Sequence, residues 1–106
     1  MLGKDLLEPV DAHLEIEGEL TARIHAAALL LLESRKAGAT ICPGDIARAV
    51  ARDLNCEWRD LMRPVRYVAG VMVEEGLIEV TQHGVAVSID HARGPIRLRR
   101  RRARFS

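Results

Sequence analysis

Residues 41–87, ICPGDIARAVARDLNCEWRDLMRPVRYVAGVMVEEGLIEVTQHGVAV, change period part-way along, and that change decides the fold. Up to Gly76 the apolar residues recur at three and four. Ile46, Ala47 and Val50 make one stripe, and Trp58, Leu61, Met62, Val65, Val68, Ala69, Met72 and Val73 make a second, which is the spacing of amphipathic helices. Pro43 suits a first helical position and Asp45 the positive first turn. Leu54-Asn55-Cys56 is a tight turn between the two helices, and Gly76 is placed to end the second. Pro64 lies inside that second stretch. A kink or break is therefore expected near Asp60 to Arg63, because proline has no N–H to donate and its ring crowds the preceding turn. Beyond Gly76 the period becomes two. Ile78, Val80 and Gln82 alternate with Glu79 and Thr81, and Val85-Ala86-Val87 follows His83-Gly84, which reads as a hairpin with a two-residue turn.

The flanks extend this pattern. Ile16, Leu20, Ile24, Ala27, Ala28, Leu31 and Leu32 predict an amphipathic helix over 17–36, ended by Gly38, before a short extended stretch at Ala39-Thr40-Ile41. After a loop at Asp90 to Gly94, Ile96, Arg97, Leu98 and Arg99 alternate apolar with basic and predict a third strand. Helix, short strand, helix, helix and hairpin is the order of a winged helix-turn-helix. The expected fold is mainly α with a small β hairpin (α+β): three helices plus a two- or three-stranded antiparallel wing. The expected organisation is an acidic segment over 1–16, the domain over 17–99 and an arginine-rich tail over 100–106.

Composition narrows the function classes. A chain of 106 residues, 48% hydrophobic and 29% charged, has room for one core and is not a disordered composition. The longest uncharged apolar run, Ala26 to Leu32, is far short of the roughly 20 residues of a membrane span. The acidic start does not resemble a signal peptide, so the expectation is a cytoplasmic protein with no membrane partner. Cys42 and Cys56 support neither a disulfide framework nor a zinc site, and His13, His25, His83 and His91 have no ligand spacing to them or to one another. No metal and no cofactor is expected. Glycine-rich phosphate loops are absent from the sequence. Ser34, Ser88 and Ser106 have no base in pattern with them; Cys42, at a helix start that would stabilise a thiolate, is the one candidate reactive thiol but reads rather as a small buried group or a helix cap, as does Cys56, which also opens a helix. The expectation is that the chain is not an enzyme.

Charge is distributed unevenly along the chain. Residues 1–20 carry one lysine against six carboxylates, residues 21–92 are near balance, and residues 93–106 carry seven arginines and no acid. That asymmetry points to an anionic partner for the basic end, to pairing between the ends, or to two solvated tails. On the expected third helix, Arg59, Arg63 and Arg66 are spaced four and three, so in a continuous helix they share a face, with Tyr67 beside them. Arginine pairs bidentately with guanine in the major groove. The competing reading is a solvated face whose arginines pair with Glu57, Asp60 and Glu74. The leading expectation is a small nucleic-acid-binding protein, a candidate transcriptional regulator, with duplex DNA as partner. Its expected contacts are Arg59, Arg63, Arg66 and Tyr67 from the helix, His83 from the wing tip, and Arg97, Arg99, Arg100, Arg101, Arg102 and Arg104 along the backbone. The alternative is a protein-protein interaction module or a homodimer formed through the apolar first helix.

The blocks ICPGDIARAV at 41–50, WRDLM at 58–62, GLIEVTQHG at 76–84 and RGPIRLRR at 93–100 resemble a small bacterial winged-helix domain family of unknown function. The resemblance covers roughly residues 22–100 and implies a three-helix winged domain without implying an activity. One departure is local: the family pattern has proline directly after the methionine, whereas here Arg63 stands between Met62 and Pro64.

Overall fold

The computed structural model describes the backbone of residues 2–101 and the side chains of residues 18–101. Its elements are α1 (Leu2–Glu33), β1 (Thr40–Ile41), α2 (Pro43–Leu54), a 3-10 turn (Trp58–Leu61), α3 (Met62–Glu74), β2 (Ile78–Gln82), β3 (Val85–Ala86) and β4 (Arg97–Arg100). The first helix is described from Leu2, not from Glu17, and it ends at Glu33 rather than Lys36. Gly38 sits in the turn that follows, where Ala39 N–H bonds back to Lys36 O at 3.0 Å.

Local chemistry accounts for the ends of α2 and α3. Cys42 is the N-cap of α2: its Sγ accepts from Gly44 N–H at 3.4 Å, and Asp45 Oδ2 accepts from Cys42 N–H at 3.0 Å. This is a capping box with a thiol in the place usually held by a hydroxyl. Pro43 takes the first helical position, where its missing N–H costs nothing. The break expected before Pro64 falls between the 3-10 turn and α3, so the proline is the third residue of α3, inside the first turn whose N–H groups have no helical partner. At the other end of α3, Gly76 (φ +78°) donates to Val73 O and Leu77 N–H to Met72 O, each at 3.0 Å. That pair of bonds is a Schellman closure, and it needs the left-handed conformation that glycine takes at little cost.

The four strands form one antiparallel sheet in the order β1-β4-β2-β3. The third strand of the expected wing thus lies between β1 and β2, and the β2–β3 hairpin stands at the edge. In β4, Leu98 pairs with Ile41 on one side and Val80 on the other. Alternation then buries Ile96 and Leu98 and turns Arg97 and Arg99 to the opposite face, beside Glu79 of β2. The core joins Ile24, Ala28 and Leu32 of α1, Ile46, Ala47 and Val50 of α2, and Val65, Val68, Ala69 and Met72 of α3 to Ile41, Ile78, Val80 and Leu98 of the sheet. It is aliphatic throughout, as a sequence with three aromatic residues requires. Three helices on a small antiparallel sheet make an α+β fold, compatible with a winged-helix-like arrangement. Among the described residues no helix is long and apolar enough to cross a membrane.

Two substitutions test these ends. Cys42→Ala is expected to lower the unfolding free energy by about 1 kcal/mol while Cys42→Ser retains it, since only the serine keeps the capping acceptor. Gly76→Ala is expected to cost roughly 1–2 kcal/mol, because an L side chain is strained at that φ. Urea titrations followed by far-UV circular dichroism measure both.

Candidate nucleic-acid interface

Helical spacing sets Arg63, Arg66, Tyr67 and Gly70 on one flank of α3, away from the buried stripe of Val65, Val68, Ala69 and Met72. Arg63 is exposed, Arg66 half-buried, and Tyr67 retains 68% of its surface. Among the described residues neither arginine has a carboxylate within 4.0 Å. Four others do: Arg23 with Glu19 at 3.1 Å, Arg48 with Asp45 at 3.7 Å, Arg59 with Glu57 at 3.1 Å and Arg99 with Glu79 at 3.3 Å. The pairing anticipated from Asp60 and Glu74 is not made to Arg63 or Arg66.

Arg59 does not continue the α3 row. It lies on the 3-10 turn, and its guanidinium carbon sits 4.7 Å from the centroid of Trp58, whose ring also lies 4.2 Å from the guanidinium of Arg48. The chain changes from 3-10 to α geometry between Arg59 and Arg63, so the four-residue spacing no longer implies a shared face. Gly44 lies against this cluster: a Cβ there would be in ordinary van der Waals contact, 3.4 Å from Arg48 Nη1 and 3.7 Å from Trp58 Cζ3.

The sheet has two distinct ends. At one, the β2–β3 turn carries His83 (φ +52°) and Gly84 (φ +81°), the two left-handed residues of a type I′ hairpin. Gln82 Nε2 donates to Arg93 O at 2.6 Å and to Pro95 O at 3.1 Å, which brings the 93–95 loop to the same end. Exposed His83 and Arg93 therefore share it with Arg97, which pairs with Thr81. Arg97 also donates through Nε to Thr40 Oγ1 at 2.9 Å and through Nη2 to Thr40 O at 3.2 Å. Between β3 and this loop the chain turns at Ser88 to Ala92 and passes beside α3, where Arg66, Tyr67, Ser88 and Asp90 border a shallow groove.

At the other end, Arg100 pairs with Ile78, and Arg101 N–H donates to Leu77 O at 3.0 Å. Arg100 is thus part of β4 and not of an irregular tail. Arg101 leaves the sheet beside the Gly76 reversal, at the Glu74 end of α3, roughly 16 Å along the helix axis from Arg63. Of the arginines expected to follow a nucleic-acid backbone, Arg97 and Arg99 are held by Thr40 and Glu79, Arg100 and Arg101 are exposed, and Arg102 and Arg104 lie outside the described residues. Arg93 and Arg48 are not among the contacts expected from the sequence. The Arg-Gly-Pro turn at 93–95 was a usable signal for the first, whereas nothing in the spacing announces that Arg48 stacks on a ring ten residues later. No group of three His, Cys, Asp or Glu side chains that could hold a metal occurs among the described residues.

These features define an α+β domain with unpaired arginines on α3 and further arginines at both ends of its sheet. By sequence the chain belongs to the family described as "Protein of unknown function (DUF3253)", whose model matches residues 21–101. No curated protein matches the sequence.

Trp58 is the single tryptophan, so its emission reports the stacked cluster directly. Arg48→Ala and Arg59→Ala are each expected to shift that emission and to cost about 0.5–1 kcal/mol of stability, the range of a partly exposed cation–π contact. Unaltered emission in both variants would show that the stack does not persist in solution.

Proposed function

We propose that this chain is a winged-helix protein that binds duplex DNA, with α3 presented to the major groove, and that it serves as a transcriptional regulator. The observation that carries this reading is the pair Arg63 and Arg66, exposed or half-exposed beside Tyr67 and without a carboxylate partner among the described residues. An unpaired guanidinium keeps its five donors available for a phosphate or for the O6 and N7 of guanine. Tyr67 adds a hydroxyl and a ring on the same flank. In this reading His83 and Gly84 approach a neighbouring minor groove, while Arg93 and Arg97 contact phosphates. Arg59 is a lesser contributor, since Trp58 and Glu57 already engage it.

A second reading, a protein-interaction module, has one observation in its favour: Leu30 of α1 is 67% exposed, in helical register with exposed Ala22 and Ala26.

Fluorescence anisotropy with random-sequence duplex and single-stranded DNA, over about 50 to 300 mM salt, tests the proposal. Binding is expected to favour duplex and to weaken with salt. Arg63→Gln combined with Arg66→Gln should weaken it about tenfold or more and lower the slope of log K against log salt by about 1.8, or 0.9 for each lost phosphate contact. An unchanged slope in a folded double variant removes α3 from the interface. Absence of binding at the lowest salt overturns the DNA reading and turns attention to the Leu30 stripe.

A further inference from the structure

We propose that the stretch of β2 left uncovered by β3, at Ile78, takes up the C-terminal end of an extended peptide as an added strand, with the terminal carboxylate on Arg101. This inference concerns the sheet and not the exposed flank of α3, and it stands or falls separately from the DNA reading.

The ladder shows which backbone groups are free. β2 runs from Ile78 to Gln82, whereas β3 has only Val85 and Ala86, paired with Gln82 and Thr81. Along an antiparallel strand the N–H and C=O of one residue point to the same neighbour, and those of the next residue to the other. Arg101 N–H donates to Leu77 O at 3.0 Å on the β4 side, and Val87 N–H donates to Val80 O at 2.8 Å on the β3 side. Odd-numbered residues of β2 therefore turn to β4, and even-numbered ones to the β3 side. Past Val87 the chain leaves the sheet for α3, where Ile89 Cγ2 lies 3.7 Å from where a Cβ on Gly70 would be. No strand then stands opposite Ile78 on this side, and among the described residues its N–H and C=O find no backbone partner there. A strand that exposes such groups is a template for another chain.

The surroundings of this stretch select the end of a peptide. A groove of about 460 Å³ lies beside it, walled by Val73 of α3, Ile78 and Val80 of β2, and Val87, and bordered also by Glu79 and Arg101. A peptide residue set opposite Ile78 donates to Ile78 O and accepts from Ile78 N–H, a complete hydrogen-bonded pair. Opposed residues of an antiparallel pair share a face, so its side chain lies on the apolar side with Ile78. Charge sets the direction. Glu79 already accepts from Arg99 Nε at 3.3 Å, while Arg101 has no carboxylate within 4.0 Å among the described residues. The uncompensated charge at the groove is thus a guanidinium, at the Leu77 end of β2. A peptide antiparallel to β2, running in the direction of β3, reaches that end with its C-terminus. When the residue opposite Ile78 is the last one, one carboxylate oxygen takes Ile78 N–H and the other faces Arg101, a charge-assisted pairing. The residue before it stands opposite Glu79. Val87 already occupies the place opposite Val80, so the rest of the peptide leaves the ladder there. The site therefore reads any residue, then an apolar one, then the free carboxylate.

The test follows amide hydrogen exchange of Ile78, Glu79 and Thr81 by NMR on the full chain. The probes are acetyl-trialanyl peptides ending in valine, leucine, isoleucine or phenylalanine, each as the free acid and as the C-terminal amide. Without peptide, Ile78 N–H should exchange faster than the Glu79 and Thr81 N–H groups, which face β4. A free-acid peptide at about ten times its Kd should slow Ile78 about tenfold, because only the unoccupied form exchanges there. The amide-ended peptides should bind about tenfold or more weakly, having lost the charge-assisted contact. Arg101→Gln should weaken the free acids by a similar factor and leave the amides unchanged. Arg35→Gln, the same loss of charge in the turn before β1 at the opposite side of the sheet, should alter neither. Equal binding of acids and amides, binding without slowing of Ile78, or no binding by any of the free acids overturns the proposal. Slowing of Ile78 that is present without peptide and fades on about tenfold dilution overturns it in favour of a second copy at this edge. No DNA enters the measurement, so its failure is distinguishable from failure of the DNA reading.

Discussion

The whole domain closes on Leu98. This fully buried side chain sits in β4, with Ile41 of β1 across one ladder and Val80 of β2 across the other. The short strand before α2 and the long strand after α3 are far apart in sequence, and β4 brings them into one sheet on which the helices can pack. Period-two alternation does the rest. Once Leu98 is inside, Arg97 and Arg99 must face out, and each finds an acceptor on a neighbouring strand. Two of the arginines that composition alone would assign to a polyanion are thus also tied to the sheet.

The helical part was legible because its signals are local. The proline and carboxylate around Cys42, the turn at Leu54–Cys56, the break ahead of Pro64 and the closure at Gly76 each follow from the behaviour of a few neighbouring residues. Period also gave the hairpin and the extra strand. It could not give their order, because alternation says which face a residue takes and nothing about which strand lies beside it. β4 was therefore readable as a strand but not as the central one. The start of α1 was misjudged for a related reason: an acidic stretch that reads as a solvated segment by composition is described as helix.

Among the candidate contacts, Arg63, Arg66 and Tyr67 were legible because they lie within one unbroken helix, where spacing converts directly into a shared face. A shared face for Arg59 does not follow, because that conversion fails across a change of helix type. The placement of Arg93 was not legible, because it depends on Gln82 reaching across the sheet end to hold the loop. The arginine run was visible as charge, but the pairing of Arg100 with Ile78 and the bond from Arg101 N–H to Leu77 O required the β2–β4 register. Fold and site thus divide along the same line: near-neighbour chemistry could be read, and placement by distant partners could not.

The central position of β4 also governs how the domain comes apart. β1 and β3 are only two residues long, and β1 has no neighbour in the sheet except β4. Local opening of β4 would free β1 and uncover Ile41 and Leu98 to water in the same step, stripping one layer of the core on which α1 and α2 rest. Many domains fray from an edge inward, through units that open at a fraction of the global cost. Here β3 can open from its edge without disturbing Leu98, whereas any opening that reaches β4 exposes Ile41 and Leu98 together. Opening of β4 is consequently tied to loss of the sheet face on which the helices pack, while the outer hairpin strand can fray by itself.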